Sequence, residues 1–188
     1  MIKIKIQNIV ASTIIAEKLD LDIIAQTLKE AEYEPEQFPG LIFRLKKPKT
    51  TTLLFRIGKA NCTGAKNVED VHKTVDIIMD KLKKIGAEVY NNPKITVQNI
   101  VITADLGGEL NLNEVATYLG LDNVEYEPEQ FPGIVYRLKK PKVAMLLFFS
   151  GKIVCAGART IEDAEEAVEV LSEKLSSLGL LHRKYSYH

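Results

Sequence analysis

The chain has no tryptophan, two cysteines and three histidines among its 188 residues, and these scarcities exclude several kinds of site. Cys62 and Cys155 have no close partner, so they provide neither a disulfide framework nor a zinc site. His72, His182 and His188 are scattered, without the spacing of metal ligands or of a nucleophile and its base. We therefore expect no metal, no cofactor and no catalytic centre built on these residues.

Other features of an enzyme or a membrane protein are also missing. No glycine-rich phosphate loop is present, and Glu34 and Glu36 flank Pro35 in a turn rather than forming a catalytic carboxylate pair. No apolar run approaches the length of a membrane span, and the opening MIKIKIQ lacks the apolar region of a signal peptide. With 46% apolar residues the chain can still bury a core. We expect a soluble intracellular protein that is not an enzyme.

What the chain does contain is a repeat. The octapeptide YEPEQFPG occurs at Tyr33–Gly40 and again at Tyr126–Gly133. At a constant offset of 93, residues 33–66 and 126–159 are identical at 22 of 34 positions. QNIV recurs at an offset of 91, so the two extra residues fall near Gly120–Asn123. Two copies of this length indicate a duplicated fold unit, with halves at residues 1–92 and 93–188, rather than a solenoid.

Each half predicts a strand, a helix, several antiparallel strands and a long helix. Ile2–Ala11 alternates as a strand does, and Asp20 or Asp22 can cap a helix running to about Ala31. LIFRL, TTLLFRI and ANCTGA are typical of three short strands. The long helix is predicted by apolar residues spaced three and four apart: Val68, Val71, Val75, Ile78, Leu82 and Ile85, then Ile161, Ala164, Val168, Leu171, Leu175 and Leu178. The two halves together predict an α+β fold with one wide antiparallel sheet.

The strands carry apolar residues on both faces, although two helices per half can cover only one. If Leu54 points to the helices, Leu53 and Phe55 point away, and the second copy repeats this at Leu147, Leu146 and Phe148. A solvated sheet face is normally polar, so an apolar one indicates a binding surface. A second sheet or a dimer partner covering that face remains an alternative.

The charges sum to zero, with 25 cations and 25 anions, but they are not evenly distributed. The repeated segment RLKKPK places Arg44, Lys46, Lys47 and Lys49 in one half, and Arg137, Lys139, Lys140 and Lys142 in the other. The helix at 161–175 instead carries Glu162, Asp163, Glu165, Glu166, Glu169 and Glu173 against Lys174 alone. A basic rim around an apolar face favours a polyanion with a flat surface, such as a DNA groove. Ordinary solvated loop lysines are the alternative.

Several repeated motifs together resemble those of the TATA-box-binding protein family, general transcription factors of archaea and eukaryotes. They are QNIV, YEPEQFPG, YRLKKPK, LLF, SGK and GA followed by a cation, and they extend over essentially the whole chain. EPEQFPG in both halves is similar to the archaeal type. The resemblance implies a pseudo-twofold saddle: a curved ten-stranded antiparallel sheet with four helices on its convex face and DNA beneath its concave face.

The resemblance also implies a function. The family recognises TATA-box promoter elements and nucleates assembly of the transcription pre-initiation complex. It is itself a standard example of a minor-groove binder that wedges Phe between base steps and kinks the duplex. In this chain the wedges fall at Phe38 and Phe55, and at Phe131 and Phe148. Asn amides can donate to the acceptors that A·T and T·A pairs both present in the minor groove.

The remaining DNA-binding positions implied by the resemblance form three groups. The central amides are Asn8 and Asn99, and the base-edge surface comprises Val10, Leu53, Thr63, Val101, Leu146 and Val154, joined by Asn61 and Ala156 at the same strand positions as Val154 and Thr63. The phosphate neighbours are Arg44, Lys59, Lys66, Arg137, Lys152 and Arg159. The resemblance also implies docking of transcription factor B near Glu127, Glu129 and Gln130, followed by RNA polymerase.

The chain departs from the family pattern at a few positions. The first half reads Asn61-Cys62-Thr63 where the family has Val-x-Thr, and the second reads Val154-Cys155-Ala156. Ile57 stands where the second half has Ser150 before Gly-Lys, which puts a hydroxyl contact to phosphate in doubt. The printed chain ends in HRKYSYH rather than in the acidic tail of some archaeal members.

Two readings of location and function follow. The resemblance implies a cytoplasmic, nucleoid-associated protein if the source is archaeal and a nuclear one if it is eukaryotic, with no membrane partner. The alternative function is a protein-interaction scaffold that binds a polypeptide on the apolar sheet face.

Overall fold

The computed structural model describes residues 2–183, so His188 and the rest of segment 184–188 lie outside the described residues. The first repeat contains β1 (Ile4–Ile14), α1 (Leu21–Thr27), β2 (Ala31–Glu32), β3 (Leu41–Lys46), β4 (Lys49–Leu54), β5 (Lys59–Ala65) and α2 (Val68–Lys84). The second contains β6 (Thr96–Asp105), β7 (Gly108–Leu110), α3 (Leu112–Leu119), β8 (Val124–Glu125), β9 (Ile134–Lys139), β10 (Lys142–Leu147), β11 (Lys152–Ala158), α4 (Ile161–Ser177) and β12 (Leu181–Arg183).

The main antiparallel sheet has ten strands, in the order β2-β3-β4-β5-β1-β6-β11-β10-β9-β8. The predicted α+β fold, with a duplicated unit, ten antiparallel strands and four helices, is therefore confirmed within residues 2–183. A separate two-stranded sheet, β12-β7, was not predicted. None of the helices in this part of the chain is long and apolar enough to cross a membrane.

The chain divides into two compact units that do not follow the repeat boundary residue by residue. The first unit is Asn8–Gln98, and the second consists of the chain before Asn8 together with the chain from Asn99 onward. Strand β1 therefore starts in the second unit and continues in the first, while β6 does the reverse. Within the second unit, Gln7 Nε2 donates to Thr103 Oγ1 at 2.9 Å. Within the first, Gln98 Nε2 donates to Ser12 Oγ at 2.8 Å.

Helix starts follow from capping side chains. Asp20 caps α1 by accepting from the backbone N–H of Ile23, at 3.2 Å. Asn67, Asn111 and Thr160 cap the other three helices in the same way, each accepting from the residue three positions on. Such caps satisfy backbone donors that the first helical turn leaves unpaired. The predicted end of α1 near Ala31 was wrong, because the helix ends at Thr27 and the chain turns directly into β2.

In each unit the long helix packs on one face of the strands. In the first unit Val71, Ile78 and Leu82 of α2 are buried, together with Phe43 and Leu54 of the sheet. In the second unit the equivalent α4 residues Ala164, Leu171 and Leu175 are buried with Tyr136 and Leu147. The strand predicted over TTLLFRI was displaced, because β4 spans Lys49–Leu54 and the residues after Leu54 form the turn into β5.

Candidate nucleic-acid interface

Each unit holds a pair of phenylalanine rings outside its core. Phe38 lies edge-on to Phe55, with ring centroids 6.1 Å apart and planes at 69°. In the second unit Phe131 and Phe148 lie 5.8 Å apart, also at 69°. Phe38 and Phe131 are 37% and 38% exposed, well above core values. Edge-to-face contact stabilises such a pair by roughly 0.5–1.5 kcal/mol, so the rings are held ready without being buried.

The glycine that ends each octapeptide makes room for its ring pair. A Cβ on Gly40 would lie 2.7 Å from Phe38 Cε1 and 3.0 Å from Phe55 Cε1. On Gly133 it would lie 2.9 Å from Phe131 Cε1 and 3.0 Å from the backbone oxygen of Leu147. Both glycines are buried beneath the rings. The octapeptide therefore ends in glycine because a side chain there would clash with the two rings.

Cross-strand partners place the other predicted base-edge residues on one face of each unit. Residues directly opposite each other in adjacent strands share a face. In the first unit Leu53 pairs with Asn61 and Thr51 with Thr63. The open face of the first unit is formed by half-buried Asn8, Val10, Thr51, Leu53, Asn61 and Thr63. The open face of the second unit is formed by half-buried Asn99, Val101, Ala144, Leu146, Val154 and Ala156.

The central asparagines are oriented by backbone N–H groups of glycine. Gly64 N donates to Asn8 Oδ1 at 2.7 Å, and Gly157 N donates to Asn99 Oδ1 at 2.6 Å. Gly64 and Gly157 have φ of +97° and +102°, in the left-handed region that favours glycine. Both lie where the register shifts, at irregularities between β1 and β5 and between β6 and β11. Because each Oδ1 accepts this bond, the amide nitrogen is the group left for another partner.

The amide nitrogens of Asn8 and Asn99 differ in how many of their N–H groups are free. Asn8 Nδ2 donates to Thr63 Oγ1 at 3.1 Å. In the second unit the position of Thr63 is Ala156, and Asn99 Nδ2 has no partner among the described residues. Asn99 therefore keeps two free N–H donors, whereas Asn8 keeps one.

The sequence analysis missed three contributors to these faces. Gly64 and Gly157 were noted only as parts of repeated motifs, although they orient the asparagines. Thr51 was read as part of a strand without a role, yet it lies on the open face beside Thr63. The identical Gly at one position of both copies was the available signal for the first two, and strand parity with Leu53 was the signal for the third.

The predicted phosphate neighbours fall into paired and unpaired cations. Arg44 forms an ion pair with Glu32, and Arg137 forms one with Glu125 at 2.7 Å, both largely exposed. No ion pair is found within residues 2–183 for Lys59, Lys66, Lys152 or Arg159, all of which are exposed. Exposed pairs contribute little to stability, so Arg44 and Arg137 can exchange their carboxylates for phosphate at small cost.

The predicted partner-binding residues lie in the turn of the second octapeptide. Glu127, Glu129 and Gln130 are exposed, and the backbone N–H groups of Gln130 and Phe131 both donate to the oxygen of Glu127 at 2.9 Å. The first octapeptide has the same turn, but its surroundings differ. There Arg56 Nη2 donates to Tyr33 Oη at 3.2 Å and pairs with Asp22.

At the position of Arg56 the second unit has Phe149, which is 60% exposed. The hydrogen bond to Tyr33 and the carboxylate of Asp22 hold the pKa of the Arg56 guanidinium above its usual value. The two identical octapeptides therefore differ in their neighbours, among them an ion-paired cation in the first unit and an exposed aromatic ring in the second.

The structure gives no support for metal or thiol chemistry in its described part. No group of three or more potential ligands that could hold a metal ion occurs among residues 2–183. Both cysteines are free and buried. Burial raises the pKa of the Cys155 thiol to about 11, and burial also raises that of Cys62, against the opposing effect of nearby Thr52 and Thr74. Neither thiol is therefore an activated nucleophile.

Known proteins match this chain over nearly its whole length. The family model described as transcription factor TFIID (or TATA-binding protein, TBP) matches residues 3–85 and 94–178. The TATA-box-binding protein of Picrophilus torridus is 61% identical over 181 residues, which is 96% of this chain and 98% of that protein. That of Haloarcula marismortui is 56% identical, covering 95% of this chain and 96% of that protein.

A solved structure, Methanococcus jannaschii TBP, superposes with a TM-score of 0.87 at 50% identity, covering 93% of this chain and 99% of that one. The duplicated match, the identities and the superposition agree with the repeat and with the ten-stranded sheet described above. The chain therefore belongs to the TATA-box-binding protein family, a family of non-enzymatic transcription factors.

Proposed function

We propose that this protein binds A·T-rich promoter elements through the minor groove, each unit contacting one half of the element. The observation that carries the proposal is the orientation of Asn8 and Asn99, whose oxygens are engaged by glycine N–H groups. The amide nitrogens then remain as donors, and the minor groove of A·T pairs presents acceptors only. A G·C pair adds a guanine N2 amine, which an apolar surface would leave unpaired at a cost of roughly 1–3 kcal/mol.

The phenylalanine pairs act as wedges between base steps and bend the duplex. Phe38 and Phe131 are exposed at the octapeptide turns, and each is supported at its edge by the second ring of its pair. Partial unstacking costs a few kcal/mol per step, which the additional contacts of a bent duplex offset. A ring already supported by its neighbour loses little conformational freedom on insertion.

The bound complex then recruits the transcription machinery on chromosomal DNA. Transcription factor B docks through a basic surface on the second octapeptide, at Glu127, Glu129 and Gln130, and RNA polymerase follows. The neighbours of the two octapeptides support this choice, because Phe149 beside the second offers an exposed apolar contact, where the first has Arg56 already paired with Asp22.

The test is a mobility-shift titration with an A·T-rich duplex, a G·C-rich duplex and a salt series, combined with fluorescence transfer across the labelled duplex. We expect tight, A·T-preferring binding, a bent duplex and a steep salt dependence. Phe131→Ala and Phe148→Ala should reduce the bend and weaken cognate binding more than nonspecific binding. Phe149→Ala is the matched control, since this neighbouring ring lies outside the pair, and it should leave the bend unchanged.

Two results would overturn the proposal. An unbent duplex with the intact protein would remove the wedge function of the phenylalanine pairs. Equal affinity for the two duplexes, with little salt dependence, would instead favour the alternative of a scaffold that binds a polypeptide on its open faces. Lys152→Ala should lower the salt slope by about one while leaving the A·T preference intact, because a phosphate contact carries no sequence information.

A further inference from the structure

The open faces of the two units differ at three equivalent positions. The first unit has the polar side chains Thr51, Asn61 and Thr63, and the second unit has Ala144, Val154 and Ala156 at these positions. The register is the same in both, since Thr51 lies opposite Thr63 and Ala144 lies opposite Ala156. The flanking leucines, Leu53 and Leu146, are retained. The difference is therefore one of hydrogen-bonding groups on otherwise matching surfaces.

Asn61 is the most informative of the three. It lies between Leu53 and Ser12 in the cross-strand row and is half-buried. Its amide makes no hydrogen bond within residues 2–183, so both its oxygen and its nitrogen are available to a ligand. In the second unit the same place between Leu146 and Thr103 is occupied by Val154, which has no polar atom.

The central asparagines add to this asymmetry. Thr63 takes one N–H of Asn8, at 3.1 Å, while both N–H groups of Asn99 are free. At the replaced positions the second unit has no polar side-chain atom, because Ala144, Val154 and Ala156 carry none. The first unit has there the oxygens of Thr51, Asn61 and Thr63, together with their own N–H and O–H donors. Acceptors are what a guanine N2 amine requires, and among these positions only the first unit supplies them.

We infer that the first unit tolerates a G·C pair in its half of the element while the second unit excludes one, so that a G·C pair fixes the orientation in which the protein binds. This inference rests on the proposed minor-groove function and adds the specificity-determining residues Asn61, Thr63 and Thr51 to it. The predicted phosphate neighbours do not distinguish the two orientations by charge, because Lys59 and Lys152, and likewise Lys66 and Arg159, stand at equivalent positions with the same charge.

The first experiment measures affinity on a self-complementary A·T duplex and on two derivatives of it. One derivative carries a single G·C pair in one half, and the other carries G·C pairs at the two symmetry-related positions. On the single derivative the protein can place its first unit over the G·C pair, so we expect an affinity loss below about threefold. The second G·C pair must lie under the second unit and should cost about 5- to 100-fold more, the usual range for a mismatched pair. Equal losses at the two steps would overturn the inference.

The second experiment exchanges the three residues between the units. N61V/T63A/T51A gives the first unit the residues of the second, and the single G·C pair should then cost as much as the second pair does in the unaltered protein. V154N/A156T/A144T is the reciprocal variant, and it should reduce the cost of the second pair. Binding to the all-A·T duplex checks that each variant folds. If one variant fails to fold, the other decides the outcome, and unchanged penalties in the folded variant would contradict the assignment.

Orientation is measured directly with a DNA-cleaving reagent attached at Glu36→Cys in the first octapeptide. The two native cysteines are buried and react slowly. On the single-G·C duplex we expect cleavage on the G·C side, and on the all-A·T duplex equal cleavage on both sides. Cleavage on the single-G·C duplex should become equal in N61V/T63A/T51A.

Different results would contradict the minor-groove function and the asymmetry between the two units. No preference for the all-A·T duplex over a G·C-rich one would overturn the proposed function itself. A clear A·T preference with equal cleavage on the single-G·C duplex would overturn only the asymmetry.

Discussion

The two units have the same framework and differ in where they place hydroxyl groups. Each has a phenylalanine pair, a glycine-bound asparagine and equivalent exposed cations. Thr13, Thr50, Thr52 and Thr74 are buried in the first unit, where the second has Ala104, Val143, Met145 and Ala167. The first unit is thus more polar both on its open face and beneath it.

The buried hydroxyls are only partly satisfied. Thr50 and Thr74 share a hydrogen bond of 2.9 Å, and Thr74 also donates to the backbone oxygen of Asp70. Thr13 and Thr52 Oγ1 have no hydrogen-bond partner of standard geometry in the described structure, although the sulfur of Cys62, a weak acceptor, lies near the Thr52 hydroxyl. An unsatisfied buried hydroxyl costs roughly 1–3 kcal/mol. The comparison teaches that the two units share the contacts of the framework, while the first unit buries unpaired hydroxyls where the second has apolar side chains.

The largest expected effect comes from giving the second unit the polar core of the first. Met145→Thr replaces a fully buried thioether with a smaller side chain and a hydroxyl. We expect a loss of about 2–4 kcal/mol in unfolding free energy, because a cavity and an unsatisfied hydroxyl form together. Hydrogen exchange of the β10 and β11 amides measures this in the second unit itself. The control is Thr52→Ser in the first unit, and a loss no larger than that control would contradict the comparison.

The partner surface provides the next test. Reversing both charges in Glu127→Lys/Glu129→Lys should weaken the ternary complex with transcription factor B by about tenfold or more, by opposing a basic partner. Binary DNA affinity should change little. The matched control is Glu34→Lys/Glu36→Lys in the identical first octapeptide, measured by the same supershift. Equal weakening by both variants would mean that the neighbours Arg56 and Phe149 do not select the second octapeptide.

A smaller effect of opposite sign is expected from Thr52→Val. The substitution keeps the shape of the side chain and removes a hydroxyl that lacks a good partner, so it should stabilise the first unit by about 1 kcal/mol. The midpoint of urea unfolding should rise without a change in slope. Thr50→Val serves as the control, because it breaks the bond to Thr74 and should destabilise instead. A lower midpoint for Thr52→Val would show that its contact with Cys62 matters more than its desolvation.

The smallest expected effect is the dependence of stability on pH that the Glu30–Lys81 pair contributes. The hydrogen bond from Lys81 Nζ, at 3.0 Å, holds the pKa of Glu30 below its ordinary value of 4.5. A depressed carboxyl pKa stabilises the fold above the ordinary value, and this stabilisation is lost as pH falls through the folded-state pKa. The second unit has Asn123 at this position, and Lys174 instead contacts Tyr136 Oη.

Glu30→Gln should therefore cost up to about 1 kcal/mol at pH 7 and less at pH 3, because more of the Glu30 carboxyl is protonated there. The check is the difference in unfolding free energy between the variant and the unaltered protein at the two pH values. A difference that persists undiminished at pH 3 would mean that packing, and not the charge of Glu30, is responsible.

The repeat made the fold predictable to an unusual degree. Helix α2 was predicted from apolar spacing and ends within one residue of Ile85, and Asp20 was among the caps named for α1. The end of α1 was missed because no residue after Thr27 blocks a helix, and pairing with β3 is what draws the next residues into β2. The β7–β12 pair could not be foreseen, since its strands are three residues each and far apart in sequence.

The site was predictable at the level of side chains but not of their hydrogen bonds. Side chains alternate between the two faces of a strand, so the assignment of Leu54 to the helices and of Leu53 to the opposite face indicated which residues share the open face. The bond from Gly64 to Asn8 depends on an irregularity between β1 and β5 that joins residues 56 positions apart. Such a bond depends on how residues of the two strands are aligned, which the repeat did not reveal. The different numbers of hydrogen bonds made by the Asn8 and Asn99 amides could therefore be seen only in the structure.

The exchanged ends of β1 and β6 have an evolutionary consequence. The first residues of the first repeat are bonded to residues of the second: Gln7 to Thr103, and the backbone N–H of Ile2 to Glu169 Oε1 at 3.0 Å. In a solitary repeat β5 would still pair with one edge of the opening strand, but the other edge would have no neighbour, and an exposed strand edge invites pairing with another chain. We therefore expect the ancestral gene product, before duplication, to have been a homodimer. Gene fusion later joined its two copies in one chain. Once the gene had been duplicated, the two copies could acquire different residues independently.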